Sequence, residues 1–401
     1  MTMFTISLFA TLVIFVLNCC SGQNLSDEKQ LFVDVFANHQ KEVIPRPNFN
    51  TPLQIQMTFY MMSITKFEEI DETIEVLGGL HCNWNDAGIS WNPSSYGNIP
   101  YTILSSKHIW KPPMILVNAV DILSPIEGST NNLATIYSDG NVTLGLGGIM
   151  SAKCTTDISK FPYDSQTCNL KFAVWGLSVE TAVLTESSDP ISMLFYTPNS
   201  NWDLTSYHSR AVIWNQYSTF EIFLTIKRES LYFSVMVVCP TILFGLLNPL
   251  VFLLPVESGE RIGLGMTILL SYAIFLTLVS AAIPASSNPM CYLLIIMIMT
   301  IVISGVIVVM SIFISYLYYR EDTKEMNAFW KLIGSRLPWT RKNNIVTVVP
   351  ITNEKPEICK TSSPPGYVSW KDVSYGLDIL FLIVSYITML CLITTFHIIV
   401  S

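Results

Sequence analysis

The chain carries the stretch CTTDISKFPYDSQTC at residues 154–168, in which two cysteines enclose a short loop. Thirteen residues separate Cys154 from Cys168, and the sequence Phe161-Pro162-Tyr163-Asp164 lies between them. An aromatic-proline pair in a tight loop favours a cis peptide bond, which is almost confined to proline. The stretch therefore indicates a compact loop with an apolar, aromatic tip.

Apolar residues are unevenly distributed on either side of this loop. Of all residues, 50% are hydrophobic and 13% are charged, and the charged share is about half that of ordinary soluble chains. Nearly all long apolar runs lie after Leu231, whereas residues 24–228 have the composition of a globular domain. The sequence therefore predicts a soluble domain followed by a membrane domain.

The N-terminal segment has a separate character. An apolar run followed by small and polar residues at 19–22 favours a secretory signal peptide over residues 1–22, cleaved near Gly22. No Lys or Arg precedes the run, so an uncleaved anchor is the alternative, although the run is short for about 30 Å of hydrocarbon. If this region is secreted, Asn24 and Asn141 lie in glycosylation sequons.

Four later segments are long enough to span a bilayer as helices, and we expect them at Tyr232–Leu254, Ile262–Ile283, Met290–Tyr316 and Leu377–Val400. The linker between the third and fourth holds nine Lys and Arg residues, so the positive-inside rule places it in the cytosol. The prediction is a multi-pass plasma-membrane protein with an extracellular N-terminus. Its parts are a signal peptide at 1–22, an extracellular domain at 23–230, three membrane helices within 231–316, a cytoplasmic linker at 317–373, and the fourth helix with an extracellular C-terminus at 374–401.

Several function classes have no support in the sequence. The net charge of −8 comes without a long charged run or a basic patch, which argues against nucleic acid as a partner. No cysteine or histidine spacing resembles a metal site, and no cofactor is expected. No nucleophile-base pair, paired acids or phosphate-binding loop stands out, so we do not expect an enzyme.

The second predicted membrane helix, residues 262–283, differs from the others in carrying one mildly polar face. Its members recur at helical intervals of three and four residues: Gly263, Thr267, Leu270, Ile274, Thr277 and Ala281. In a membrane such a stripe lines a wet space or packs against another helix. Glu257 and Glu260 precede it, and acids at a membrane boundary are functional candidates.

The two-cysteine loop resembles the signature of the Cys-loop family of pentameric ligand-gated ion channels. Other motifs are similar to the nicotinic acetylcholine receptor branch: Trp84-Asn-Asp86, Trp91-Asn-Pro93, Ile109-Trp-Lys-Pro112, Trp202-Asp-Leu204, Leu231-Tyr-Phe233 and Val251-Phe-Leu-Leu-Pro255. The resemblance implies an all-β extracellular sandwich plus an α-helical four-transmembrane domain. It also implies a homo- or heteropentamer around a central pore, and we expect a divergent invertebrate member.

The resemblance assigns roles to the loop and to the domain junction. It implies a disulfide between Cys154 and Cys168, which would stabilise the closed ring by about 3 kcal/mol in the chain-entropy model. A stiff loop with an apolar tip can push on a membrane domain. Arg228 and Glu72 match the ion pair at the family's domain junction. The residues assigned to coupling are Glu72, Phe161, Pro162, Arg228 and Pro284.

By the same resemblance, the stripe of the second helix supplies a gate and a filter. Leu270 matches the leucine of a hydrophobic gate, a narrow ring that expels water and strips an ion of hydration. Glu260 matches the acidic ring of cation-selective relatives, whereas the anion-selective branch resembles Pro-Ala-Arg at this point. We therefore expect a cation channel. The predicted gate residues are Leu270 and Ile274, and the predicted selectivity residues are Glu260, Glu257, Gly263 and Thr267.

The family binds its ligand between subunits in an aromatic box, where each ring face attracts a cation by about 0.5–2 kcal/mol. Trp175 matches the central tryptophan, and Trp214 and Tyr217 match aromatics of the capping hairpin, which is shorter here and lacks the adjacent cysteine pair. Val117 and Gly79 stand where relatives carry Tyr and Trp, so the pocket is predicted to be roomier. The predicted ligand-binding residues are Trp175, Trp214, Tyr217, Val117, Gly79, His81 and Thr143.

The expected ligand is an amine or an amphipathic small molecule. The other expected partners are identical or homologous subunits, the lipid bilayer and permeant cations. Two alternatives stay open. One is a non-binding accessory subunit of a heteromeric channel, which the depleted aromatic box favours. The other is an anion-selective member of the same family.

Overall fold

The computed structural model describes residues 25–37, 39–121, 123–126, 132–281, 283, 289–321, 326–330 and 369–400. It divides into two compact units, which we call the strand unit (Met1–Thr156 with Ser165–Glu229) and the helix unit (Asp157–Asp164 with Ser230–Ser401). The predicted signal peptide at 1–22, the sequon residue Asn24, the coupling residue Pro284 and most of the linker at 317–373 lie outside the described residues.

The strand unit opens with a short helix, α1 (Leu25–Leu31), and its described residues contain ten strands. They are β1 (Leu53–Glu68), β2 (Thr73–Asn85), β3 (Tyr101–Ser105), β4 (Met114–Leu116), β5 (Leu133–Tyr137), β6 (Asn141–Lys153), β7 (Ser165–Val174), β8 (Ala182–Ser192), β9 (Trp202–Trp214) and β10 (Tyr217–Arg228). The sequon residue Asn141 begins β6 and is exposed, so its glycosylation stays a prediction.

The strands form two sheets with a shared apolar core. One has the order β3-β5-β6-β2-β1-β8 and the other β4-β7-β10-β9. On β1, the alternate residues Ile55, Met57 and Phe59 are fully buried, as the two-residue period of a strand requires. Phe59 meets Phe172 of β7 across the core, with ring centroids 6.1 Å apart. These contacts confirm the predicted all-β sandwich.

The sequence Trp84-Asn85-Asp86 ends β2 and fixes the chain beyond it. Trp84 packs edge-on against Trp110, with ring centroids 5.7 Å apart. The Asp86 carboxylate accepts a hydrogen bond of 2.9 Å from the Gly88 backbone N–H and lies 3.4 Å from the His39 imidazole. Burial raises the pKa of Asp86, and the neighbouring His39 and Gly88 N–H oppose that shift. The motif therefore holds the loop that follows β2.

Four helices in the described part of the helix unit are long and apolar enough to cross a membrane: α2 (Leu231–Leu253), α3 (Arg261–Ala281), α4 (Tyr292–Tyr318) and α5 (Trp370–Val400). They correspond to the four predicted spans and confirm the α-helical four-transmembrane domain. The last helix begins at Trp370, earlier than the predicted Leu377.

The first membrane helix, α2, is irregular where prolines remove hydrogen-bond donors. A π-helical turn at Ser234–Val238 precedes Pro240, and a 3₁₀ segment at Asn248–Leu253 carries a second proline. Membrane helices tolerate such breaks when neighbouring helices satisfy the freed polar groups. Here the Tyr386 hydroxyl of α5 donates a 3.2 Å hydrogen bond to the Leu246 carbonyl, and the buried Asn248 side-chain amide donates to the Ser304 hydroxyl of α4. The irregular helix is thereby tied to the bundle.

Two apolar clusters hold the helix unit together. The first joins the tip of the 154–168 loop to the helices and includes Ile158, Phe161, Tyr272, Leu293 and Met297. The second joins α2, α4 and α5 and includes Val251, Phe252, Ile307, Ile314 and Leu377. Lipid tails are as apolar as these side chains, so the clusters hold the helices together through close packing contacts.

Candidate functional site

Trp175 directly follows β7 and projects from the sandwich. The residue is 56% exposed, while its backbone N–H donates a 2.8 Å hydrogen bond to the Pro113 carbonyl. A tryptophan that served only the core would be buried. The backbone is therefore anchored while the indole stays free to meet another molecule.

The hairpin between β9 and β10 turns in only two residues. Trp214 and Tyr217 pair directly across it, and Asn215 and Gln216 between them have φ angles of 44° and 74°. Two successive positive φ angles are typical of a type I′ turn, whose twist matches that of the strands. Both aromatics are exposed. The predicted short capping hairpin is thus an abrupt turn with one aromatic on each strand.

A groove of about 720 Å³ on the four-stranded sheet has Val117 and Trp214 among its lining residues. The buried Glu221 carboxylate forms ion pairs with Arg210 at 2.8 Å and Lys171 at 3.7 Å. These charged residues lie directly opposite one another on β9, β10 and β7, where opposite charges stabilise a sheet. Sequence reasoning missed this triad, although the apolar-polar alternation of β10 was an available signal.

The other predicted ligand residues lie on the six-stranded sheet. On β2, Gly79 is buried and His81 is partly exposed, and Thr143 of β6 pairs with Asn83 further along the same strand. The Tyr60 and His81 rings are 4.4 Å apart, and burial lowers the pKa of the His81 imidazole. The aromatic surface here comes from Tyr60 and His81, and sequence reasoning missed Tyr60.

The predicted ligand residues therefore occupy two different sheets of one chain. Trp214 and Tyr217 belong to the four-stranded sheet, while Gly79 and His81 belong to the six-stranded sheet. The side chains packed between two sandwiched sheets separate their outer faces. A single chain therefore does not bring both sets together.

The stripe of α3 lies on its unpacked side. All six of its residues are exposed: Gly263, Thr267, Leu270, Ile274, Thr277 and Ala281. Leu270, at the centre, is 63% exposed. The buried residues of the helix are Arg261, Gly265, Tyr272 and Val279. The helix thus packs against its own subunit with one face and leaves the predicted pore face free.

The two acidic residues before α3 have different surroundings. Glu260 is exposed, and its Oε2 atom lies 4.0 Å from the position that a Cβ atom on Gly263 would occupy. The Glu260 carboxylate is therefore beside the stripe. Glu257 instead accepts a hydrogen bond from the Tyr318 hydroxyl of α4. Of the two predicted selectivity acids, Glu260 is the one placed next to the candidate pore face.

Arg261 adjoins Glu260 but is buried against other helices. Its guanidinium donates to both carboxylate oxygens of Asp378 on α5 and lies over the Phe252 ring, 5.3 Å from its centroid. Sequence reasoning did not find this contact. The available signal was Asp378 itself, because an acid in an apolar membrane segment needs a partner.

The loop at 154–168 has the form that the resemblance implied. The disulfide is formed, and the Phe161–Pro162 peptide bond is cis. The buried Phe161 ring lies 5.1 Å from the Phe233 ring of α2. The Ser234 hydroxyl, also on α2, donates a 2.9 Å hydrogen bond to the Tyr163 hydroxyl. The tip is therefore packed onto the first membrane helix within the helix unit.

The predicted partner of Arg228 was wrong. The buried Arg228 guanidinium pairs with Glu69 at 2.6 Å and lies 4.3 Å from the centroid of the Trp202 ring. Glu72 occupies a turn with a φ angle of 53°, and its carbonyl accepts a hydrogen bond from the Cys154 N–H. The turn fixes Glu72 through its backbone, and the acid three residues earlier makes the ion pair.

Two family models match the chain. The neurotransmitter-gated ion-channel ligand binding domain matches residues 28–230, and the neurotransmitter-gated ion-channel transmembrane region matches residues 237–343. The chain belongs to the neurotransmitter-gated ion-channel family. The first match spans all ten strands, and the second spans α3, α4 and most of α2. Members of this family are ligand-gated channels and not enzymes, which confirms that expectation.

Similar proteins within the family are acetylcholine receptor subunits of nematodes and insects. The beta-type subunit lev-1 of Caenorhabditis elegans is 28% identical over 334 residues, covering 82% of this chain and 63% of that protein. The alpha-like 2 subunit of Drosophila melanogaster is 26% identical over 335 residues, covering 80% and 58%. The chain thus spans less than two thirds of the length of these relatives. Their names agree with the expected nicotinic branch.

The corrected pairing of Arg228 can be tested by charge reversal. Removing one member of a buried pair costs about 3–5 kcal/mol, so we expect Glu69→Arg and Arg228→Glu each to reduce delivery to the cell surface several-fold. The double variant should recover most of that loss. Antibody staining of an extracellular tag on intact cells measures it.

The matched control is Glu72→Arg, alone and combined with Arg228→Glu. We expect the single Glu72 variant to stay near the parent level and the combination to bring no recovery. If Glu72→Arg rescued Arg228→Glu and Glu69→Arg did not, the pairing with Glu72 predicted from the sequence would be correct and the pairing with Glu69 would be wrong.

Proposed function

We propose that the chain is one subunit of a pentameric, cation-selective, ligand-gated ion channel of the plasma membrane. The observation that carries the proposal is the unpacked face of α3, with Leu270 at its centre and the Glu260 carboxylate at its start. A lone four-helix subunit encloses no pore, whereas five subunits that turn this face inward would line one. The positive-inside rule supports an extracellular N-terminus.

The proposed gate is a ring of Leu270 side chains, with Ile274 one turn further along. Both residues are exposed on the unpacked face, so copies from five subunits would converge on the axis. A narrow apolar ring loses its water, and an ion inside it has no replacement for its hydration shell. Opening therefore requires the ring to widen.

The proposed filter is a ring of Glu260 carboxylates at the start of α3. Acidic rings favour cations by concentrating them near the pore and repelling anions. Gly263 has no side chain, and the Thr267 hydroxyl donates to the Gly263 carbonyl at 2.8 Å. The charge near this end of the stripe thus comes from Glu260. An anion channel needs an unmasked positive ring, and the adjacent Arg261 is buried, which disfavours that alternative.

The proposed ligand site lies between neighbouring subunits. The half-site of the four-stranded sheet carries Trp175, Trp214 and Tyr217, and that of the six-stranded sheet carries Tyr60 and His81. Ring faces suit a cationic amine, and the relatives are named as acetylcholine receptor subunits. Because two aromatic positions of the box are replaced, we propose an amine or an amphipathic small molecule as the ligand.

A non-binding accessory subunit is the second candidate function. It is favoured by Val117 and Gly79, which supply no aromatic ring at two positions of the predicted box. In that arrangement the chain would conduct only beside a partner subunit, and its own half-sites would serve assembly. A current from the chain expressed alone separates the two candidates.

The gate can be tested without knowledge of the ligand. We expect Leu270→Thr subunits, expressed alone in oocytes, to carry a resting current at least several-fold above that of the parent, because a polar ring holds water. The reversal potential of this leak should follow the sodium gradient. Two-electrode voltage clamp with sodium replacement measures both quantities.

The matched control is Leu264→Thr, the same change at an exposed leucine of α3. Leu264 directly follows Gly263 and therefore lies about 100° around the helix from that residue of the stripe. The control variant should leave the resting current unchanged. If Leu270→Thr protein reaches the surface without a leak, the homomeric channel is wrong and the accessory role gains support.

The filter can be tested in the leaking Leu270→Thr background. Glu260→Gln removes the ring charge at nearly constant size, so we expect the sodium preference over chloride to fall several-fold. The control is Glu257→Gln, because Glu257 is bound to Tyr318 and not beside the stripe. Reversal potentials in diluted sodium chloride measure both. Unchanged selectivity in Glu260→Gln would reject this filter.

The ligand site can be tested with a panel of choline, acetylcholine and primary aromatic amines on the parent channel. For any amine that opens it, we expect Trp175→Ala to raise the half-maximal concentration roughly 30-fold, the loss of a contact of about 2 kcal/mol. Tyr207→Ala, an exposed aromatic elsewhere on β9, is the control. An unshifted concentration-response curve in Trp175→Ala would exclude the site.

A further inference from the structure

Three ionisable residues around the start of α3 have different surroundings. Glu260 is exposed beside the stripe, at 4.0 Å from the position of a Cβ on Gly263. Glu257 accepts a hydrogen bond from Tyr318. Arg261, the next residue after Glu260, is only 1% exposed. Glu260 is thus the acid beside the candidate pore face, and the guanidinium of the adjacent Arg261 is buried away from that face.

The partner of Arg261 is on a different membrane helix. Asp378 of α5 accepts from both terminal nitrogens of the guanidinium, at 3.0 Å for the Nη1–Oδ2 bond. A bidentate ion pair of this kind fixes the orientation of the guanidinium and also contributes binding energy. The Phe252 ring of α2 lies beneath the guanidinium, 5.3 Å away at its centroid. Three helices therefore hold this one charge.

The position of Arg261 has an electrostatic consequence for the pore. In a pentamer, Glu260 supplies five negative charges and Arg261 five positive charges at adjacent positions in the sequence. If the arginines were unpaired at the pore, the two rings would largely cancel and cations would gain no preference. The Asp378 carboxylate neutralises each guanidinium on the far side of α3, so the Glu260 ring keeps its field.

We propose that Asp378 is a specificity-determining residue, which masks Arg261 so that Glu260 alone sets the charge of this end of the pore. The inference rests on the proposed cation channel and extends it to a residue outside the pore-lining helix. Asp378 acts through Arg261 and does not touch the permeant ion. It is therefore a positioning residue in the fourth membrane helix.

The test uses full-length Leu270→Thr channels and the reversal potential in diluted sodium chloride, which does not depend on how many channels reach the surface. Asp378→Asn keeps the shape of the side chain and unmasks Arg261. We expect its chloride-to-sodium permeability ratio to rise several-fold. The double variant Arg261→Gln with Asp378→Asn lacks both charges, and we expect it to return to the parent ratio.

This double variant separates masking from a merely structural role. If the ion pair served only to hold α5, the double variant would be as altered as Asp378→Asn, because neither contains the pair. Asp378→Glu, which keeps the charge, should retain the parent ratio. A parent ratio in Asp378→Asn, or no recovery in the double variant, overturns the proposal.

A reversed pair covers the case in which Asp378→Asn fails to reach the surface. Arg261→Asp with Asp378→Arg keeps a buried ion pair. Masking predicts the parent permeability ratio, because the reversed pair is neutral and Glu260 still sets the charge of the pore. A raised cation preference in this variant would mean that position 261 faces the pore, which overturns the proposal. The Leu270→Thr channel without further changes is measured before any variant of Asp378. If its leak shows no preference for cations, the proposed function itself is wrong.

Discussion

Phe59 of β1 and Phe172 of β7 meet between the two sheets, and the apolar side chains around them hold the sandwich together. Because successive residues of a strand point to opposite faces, burying one set turns the intervening residues outward. On β2 this leaves His81 on an outer face, and on β10 it leaves Glu221 on the other. Burial of the apolar residues therefore determines which side chains lie on the outer faces, where a ligand could contact them.

Apolar periodicity was enough to predict the four membrane spans, and the sandwich was predicted from the resemblance to the family. The four spans and the unpacked face of α3 follow from the spacing of apolar residues along the chain. The stretch at 154–168 pointed to the disulfide and to the family. Such signals are short-range, and they can be recognised without knowing which elements meet. Trp175, Trp214 and Tyr217 were assigned by resemblance to the family, and all three are exposed.

The residues that sequence reasoning missed are set by contacts between distant elements. Arg228 pairs with Glu69 because Glu72 lies in a turn with positive φ, which a strand-like pattern does not reveal. Asp378 and Arg261 meet only once their helices pack. Tyr60 becomes a candidate site residue only through its ring contact with His81 on the adjacent strand. In each case the contact depends on how distant elements pack together, which residue type alone does not reveal.

The two-residue turn at Asn215-Gln216 also bears on the timing of a response. A long flap closes over a bound molecule and must reopen before release, and such motions can limit the rate of departure. A two-residue type I′ turn is too short to form such a flap. For the proposed ligand site, differences in affinity would then appear mainly in the rate at which the direct contacts break. In the proposed channel, a ligand site built on this turn would release its ligand without the reopening of a flap and would keep little memory of a previous pulse.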